Sequence, residues 1–85
     1  MKYPVFCWRD VIQGFGEPKL YLNEEMAKRD FGYRLNQEGS PMQYKPSDYE
    51  LYSLGQYDTA NGSFDLLPVP VYILNGNDVY GVNVK

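Results

Sequence analysis

A chain of 85 residues with a net charge of −3 has room for one small domain, taken here as residues 1–85. It contains no His and a single Cys, which excludes Ser–His and Cys–His catalytic pairs, an intramolecular disulfide and a Cys/His zinc site. No segment approaches the roughly 18 consecutive apolar residues of a membrane-spanning helix, so no membrane partner is expected.

In chain order, "YPVFCWR" (residues 3–9) reads as a strand, being short, rich in aromatic and β-branched types, and apolar on both faces. The opening "MKYPVFCWRD" has one lysine and only a brief apolar run, which is not the pattern of a signal peptide. "QGFGEP" follows as a loop, and "KLYL" as a second strand with Lys19 and Tyr21 on one face and Leu20 and Leu22 on the other. The period then changes. Asn23 is suited to cap a helix, Glu24 and Glu25 suit its first turn, and Ala27, Phe31 and Leu35 recur every four residues. Gly32 weakens the middle by about 1 kcal/mol relative to Ala, but Leu35 completes the stripe, so the helix is expected to run to Asn36.

"NQEGSPMQYKPSD" reads as a polar loop. "YELYSLGQY" and "SFDLL" read as the arms of a hairpin, with Asp58 starting the turn and Asn61-Gly62 taking positive φ. Pro68 and Pro70 mark an edge or crossing segment, because proline cannot donate to a ladder. "VYIL", "NGND" and "VYGVNV" read as a second hairpin with Asn75-Gly76 in its turn. The expected fold class is α+β, with one helix on a mainly antiparallel sheet of about four to six strands.

The charge is uneven. Residues 1–45 hold seven cations against six acids, whereas residues 46–85 hold only Lys85 against five acids. Nucleic-acid binders carry basic patches, and only the N-terminal half can present one. Its basic residues are interleaved with rings: Trp8 and Arg9 on the first strand, Lys19 and Tyr21 on the second, and Lys28, Arg29, Tyr33 and Arg34 on or near the helix. Rings that stack on bases and cations that track phosphates are the means of holding single-stranded nucleic acid. The same rings also serve as core in a small domain. No phosphate-binding glycine motif is present, Cys7 reads as a small buried hydrophobe, and no cofactor or enzymatic activity is expected.

Two blocks carry a resemblance: "NEEMAKRDF" (residues 23–31) and "PSDYELYSLGQYD" (residues 46–58). With Arg9-Asp10 and Pro18 before them, and the Gly62 turn and "PVPVYIL" after them, they resemble the small non-structural protein of gokushovirus-type microviruses, which are single-stranded DNA phages. The resemblance runs from about Val5 to Leu74. It implies a non-structural protein of the host-cell cytoplasm, described as DNA-binding and acting in single-stranded genome synthesis or packaging, and it brings no catalytic residues. Two readings of function follow. One is single-stranded DNA binding, with Arg9, Lys19, Lys28, Arg29 and Arg34 on phosphates and Trp8, Tyr21 and Tyr33 as stacking rings. The other is an adaptor for a phage replication protein or a host protein, with tyrosines at the interface. Open sheet edges make a homodimer or larger homo-oligomer compatible with either.

Overall fold

The computed structural model describes residues 1–79. Its fold is α+β, one main helix on a curled antiparallel sheet. Strand β1 (Lys2–Asp10) runs through the centre. Two short strands, β2 (Gly14–Phe15) and β3 (Lys19–Leu20), share one of its edges, and β4 (Tyr49–Asp58) lies along the other. Strand β5 (Ser63–Asn75) pairs with β4 and forms the outer edge.

Helix α1 (Glu24–Leu35) starts where its cap dictates. The Asn23 side chain accepts a hydrogen bond from the Met26 N–H at 2.9 Å. Glu24 and Glu25 occupy the positive end of the helix and Arg34 the negative end. The Ala27–Phe31–Leu35 stripe is fully buried against Phe6, Leu51 and Met42. Burying side chains such as Phe31 or Leu51 contributes about 1.5–3 kcal/mol each. At the far end the Asn36 amide donates to the Gly32 carbonyl at 2.7 Å and to the Val79 carbonyl at 2.9 Å, tying the helix to the last described residue.

Several segments differ from the reading of the sequence. The expected "QGFGEP" loop contains β2, because the turn after β1 folds Phe15 back opposite Arg9, and the strand expected over "KLYL" ends at Leu20. The expected loop after α1 contains a short helix, α2 (Pro41–Tyr44), and a 3-10 turn over Pro46–Asp48. Ser40 caps α2 by accepting from the Met42 N–H, Pro41 supplies the preset φ of a first helical position, and Met42 enters the core. Pro68 and Pro70 lie on an edge strand as expected, but "SFDLL" and "VYIL", read as separate strands, run on as the single β5. Ser53 faces Val71 and Gly55 faces Leu66, so residues 67–70 bulge opposite Leu54 and both prolines sit where no ladder bond is needed.

The hairpin at Asn61-Gly62 forms as expected between β4 and β5, though positive φ falls on Gly62 alone, where no Cβ opposes it, and β1 with β2 makes another. Asn75 caps a 3-10 turn over Gly76–Asp78. The expected arm of a further hairpin after it, from residue 80 on, lies outside the described residues. Tyr49 packs on the core beneath α1, whereas Tyr52 lies on the opposite face of the sheet.

Candidate functional site

Strand parity divides the basic residues. Trp8 leaves β1 on the side of the helix, and Arg9, one position on, leaves on the other. The Trp8 ring meets Phe31 of α1 edge-on, with 5.6 Å between centroids. Lys19 arrives from β3, where pairing sets it opposite Phe6, and its Nζ lies 5.0 Å from the centre of the Trp8 ring. Arg34 arrives from the last turn of α1, with its guanidinium carbon 5.9 Å from the same ring. A cation over an indole face gains about 0.5–1 kcal/mol at an exposed site. One half-buried ring therefore holds two positive groups delivered by different elements.

Asp30 fixes the arrangement from the helix. The Tyr21 hydroxyl donates to Asp30 Oδ2 at 2.6 Å, and Arg34 Nε donates to Asp30 Oδ1 at 3.4 Å. Tyr21 also packs edge-on against Phe6, 6.0 Å between centroids. Burial, and then the Asp30 carboxylate it donates to, push the Tyr21 hydroxyl well above the ordinary tyrosine pKa of 10.0. The hydroxyl therefore remains a donor well past the pH at which a free tyrosine ionises, and its contribution is lost only in strong alkali, as pH climbs through the raised pKa. Asp30→Ala is expected to lower unfolding free energy by about 1–2 kcal/mol, because it leaves the Tyr21 hydroxyl without its acceptor. Urea unfolding of the variant beside the wild type checks this.

Beside Trp8 the chain opens a shallow cavity of about 180 Å³. Residues 16–18 link the two short strands. The Gly16 N–H donates to the Trp8 carbonyl at 2.8 Å, and Glu17 and Lys19 line the rim. Further along the helix Tyr33 is 55 % exposed, and Arg29 stands one turn before it on the same outer strip. Neither Arg29 nor Lys19 makes an ion pair among the described residues.

The remaining two cations stand apart. Lys28 lies on the other flank of α1, bridged to Glu24 at 3.2 Å and Glu25 at 3.7 Å. Arg9 sits on the opposite face of the sheet, donating to Glu50 Oε1 at 2.8 Å. The Tyr52 hydroxyl shares that oxygen at 3.2 Å, and the Phe15 ring lies beneath the guanidinium at 5.8 Å. Of the eight residues singled out in the sequence, the fold thus gathers Trp8, Lys19, Tyr21 and Arg34, with Tyr33 and Arg29 along the adjoining helix surface. Sequence reasoning missed Asp30 as the hub. Its position one turn before Arg34 was the available signal, whereas its bond to Tyr21 depends on how β3 meets α1. Cys7 is buried, and desolvation pushes its thiol pKa up, which makes it a poor nucleophile.

No curated protein and no solved structure matches the chain. The family model described as Phage ORF5 protein matches residues 3–79, a span that takes in every strand and helix described above except Lys2, the first residue of β1. The chain therefore belongs to the Phage ORF5 protein family and is a phage protein.

Proposed function

We propose that this phage protein is a non-enzymatic accessory factor that binds single-stranded DNA during genome replication or packaging in the host cytoplasm. The observation that carries the reading is the convergence of Lys19 and Arg34 on Trp8. Two cations held by one ring are ordered before any ligand arrives, so less side-chain freedom is lost when phosphates bind. Arg29 extends the positive strip along α1, and the exposed Tyr33 ring beside it offers a stacking surface for a base. Trp8 serves in this reading as the anchor of the cations, since its ring is already occupied by Lys19, Arg34 and Phe31. Tyr21 likewise acts by holding Asp30 and Arg34 in place. Membership of a phage family supports the reading, as does the resemblance to the non-structural protein of gokushovirus-type microviruses.

A second reading, an adaptor for a phage replication protein or a host protein, draws on the acidic balance of residues 46–85.

The two readings separate in one experiment. Lys19→Glu with Arg34→Glu is expected to weaken binding of a labelled oligo-dT by about 10-fold or more. It is also expected to flatten the dependence of log affinity on log salt by about 0.7 per lost phosphate contact. Lys28→Glu, across the helix, is expected to leave the salt dependence nearly unchanged. If the double variant binds like the wild type, the Trp8 surface is not the DNA site.

A further inference from the structure

The face of the sheet opposite α1 carries a second organised surface. Strand parity and register place Tyr52 and Tyr72 there as cross-strand neighbours, and Phe15 closes on Tyr52 from β2. The three rings form an edge-to-face row, with centroids 5.0 Å apart from Phe15 to Tyr52 and 5.9 Å apart from Tyr52 to Tyr72. Leu20 and Leu66 flank the buried Val5 on the same face, and Phe64 continues it towards the hairpin turn. Phe15, Leu20, Phe64, Leu66 and Tyr72 are 45–60 % exposed, and among the described residues no helix lies over them.

Charge decides what this face suits. In the paired strands its charged groups are Arg9 and Glu50, and these bond to each other at 2.8 Å. No cation is left over for a phosphate backbone, so nucleic acid is the wrong occupant. A neutral apolar centre with few charges is the composition of a protein interface core. Its size also fits. The exposed rings and aliphatic groups amount to on the order of 500 Å², taking about half of what a large side chain presents. A standard interface takes about 800 Å² from each partner, and homodimer interfaces are about 65 % apolar, which requires a similar apolar area. Pro68 and Pro70 remove N–H donors from the outer strand and so discourage association by edge pairing.

We infer that this aromatic face is the interface of a homodimer, two copies packing sheet to sheet through Phe15, Tyr52, Leu66 and Tyr72. The Arg9–Glu50 pair is self-neutral, and Asp78 adds a negative charge near Tyr72. The Trp8 surface lies on the other side of each sheet, and the dimer leaves both copies of it open. The inference does not depend on DNA binding.

Sedimentation velocity of the full chain at about 100 µM tests it, a concentration at which a mass-action dimer of ordinary strength is filled. The wild type is expected at twice the 9.9 kDa chain mass. Leu66→Glu is expected to weaken the dimer by about 100-fold or more and return the chain to its monomer mass. Val71→Glu, which register sets opposite Ser53 on the other side of the sheet from Tyr72, is expected to leave the dimer intact. Circular dichroism confirms the fold of each variant, and Tyr72→Glu probes the same face if Leu66→Glu does not fold. A wild type of monomer mass overturns the inference, and so does a Val71→Glu variant that dissociates as Leu66→Glu does, or a folded Leu66→Glu variant that stays dimeric.

Discussion

Trp8→Ala is expected to cost about 2–3 kcal/mol of unfolding free energy and to weaken single-stranded DNA binding while leaving its salt dependence largely in place. The stability loss follows from packing. Replacing a fully buried Trp by Ala costs about 3–5 kcal/mol, and Trp8 is half-buried, so the lower end or below applies. The edge contact with Phe31 goes, and with it the wall between β1 and α1. The binding loss has a different origin. Lys19 and Arg34 remain in the chain, so the number of phosphates neutralised changes little, but neither cation is held. Affinity falls through the added ordering cost, by roughly 3–10-fold, and the slope against salt persists. Trp8→Phe keeps an aromatic ring and is expected to lie between the two. Urea unfolding gives the stability, and anisotropy with oligo-dT at several salt concentrations gives the slope. A Trp8→Ala protein that binds as tightly as the wild type contradicts the anchoring role.

Gly55→Ala is expected to be more damaging still. Gly55 has φ of +138°, a region closed to residues with a Cβ. A Cβ built there collides with the Asp65 carbonyl oxygen and lies 2.8 Å from the Leu66 Cα, both backbone atoms of the paired strand. No rotamer change relieves that contact. The position also sits where the ladders change register, between Val5 and Phe6 on one side of β4 and between Ser53 and Gly55 on the other. Two bulges beside one glycine bend the sheet, so the substitution opposes the curl itself. The expected cost is about 3 kcal/mol or more. That is a large share of the roughly 5–10 kcal/mol available to a domain of this size. Thermal unfolding of the variant shows a large drop in midpoint or no cooperative transition. A midpoint within a few degrees of the wild type would mean that β4 and β5 can separate at this point without cost.

Much of the fold was legible because local signals agreed with one another. Asn23, the two glutamates and the Ala27–Phe31–Leu35 stripe all specified the same helix, and Asp58 with Asn61-Gly62 specified the same turn. The short helix α2 was missed although Ser40-Pro41 is a cap followed by a first-position proline. Four residues are too few for a hydrophobic period to show. The passage of β5 through two prolines was hidden because the bulge that admits them is a property of the pair, with Leu54 left opposite four residues.

The grouping of the candidate residues was legible only in part, and the single set that included Arg9 and Lys28 is divided by the fold. Alternation alone puts Lys19 with Tyr21 and separates Trp8 from Arg9, so the split of the basic residues between two faces followed from β1 being a strand. The meeting of Lys19 with Arg34 was not legible, since it depends on where α1 crosses β1 and β3. Nor was Lys28 distinguishable by type from Arg34. Its neutralisation by Glu24 and Glu25 follows from helical spacing, whereas the orientation of Arg34 towards Trp8 follows from the core stripe beside it.

The most direct measurement is fluorescence anisotropy of labelled oligo-dT titrated with the wild-type protein at low and at physiological salt. Saturable binding that weakens steeply with salt is the predicted result, since two or more phosphate contacts impose it. A folded protein that leaves the anisotropy of the oligonucleotide unchanged even at low salt would contradict single-stranded DNA binding by this chain.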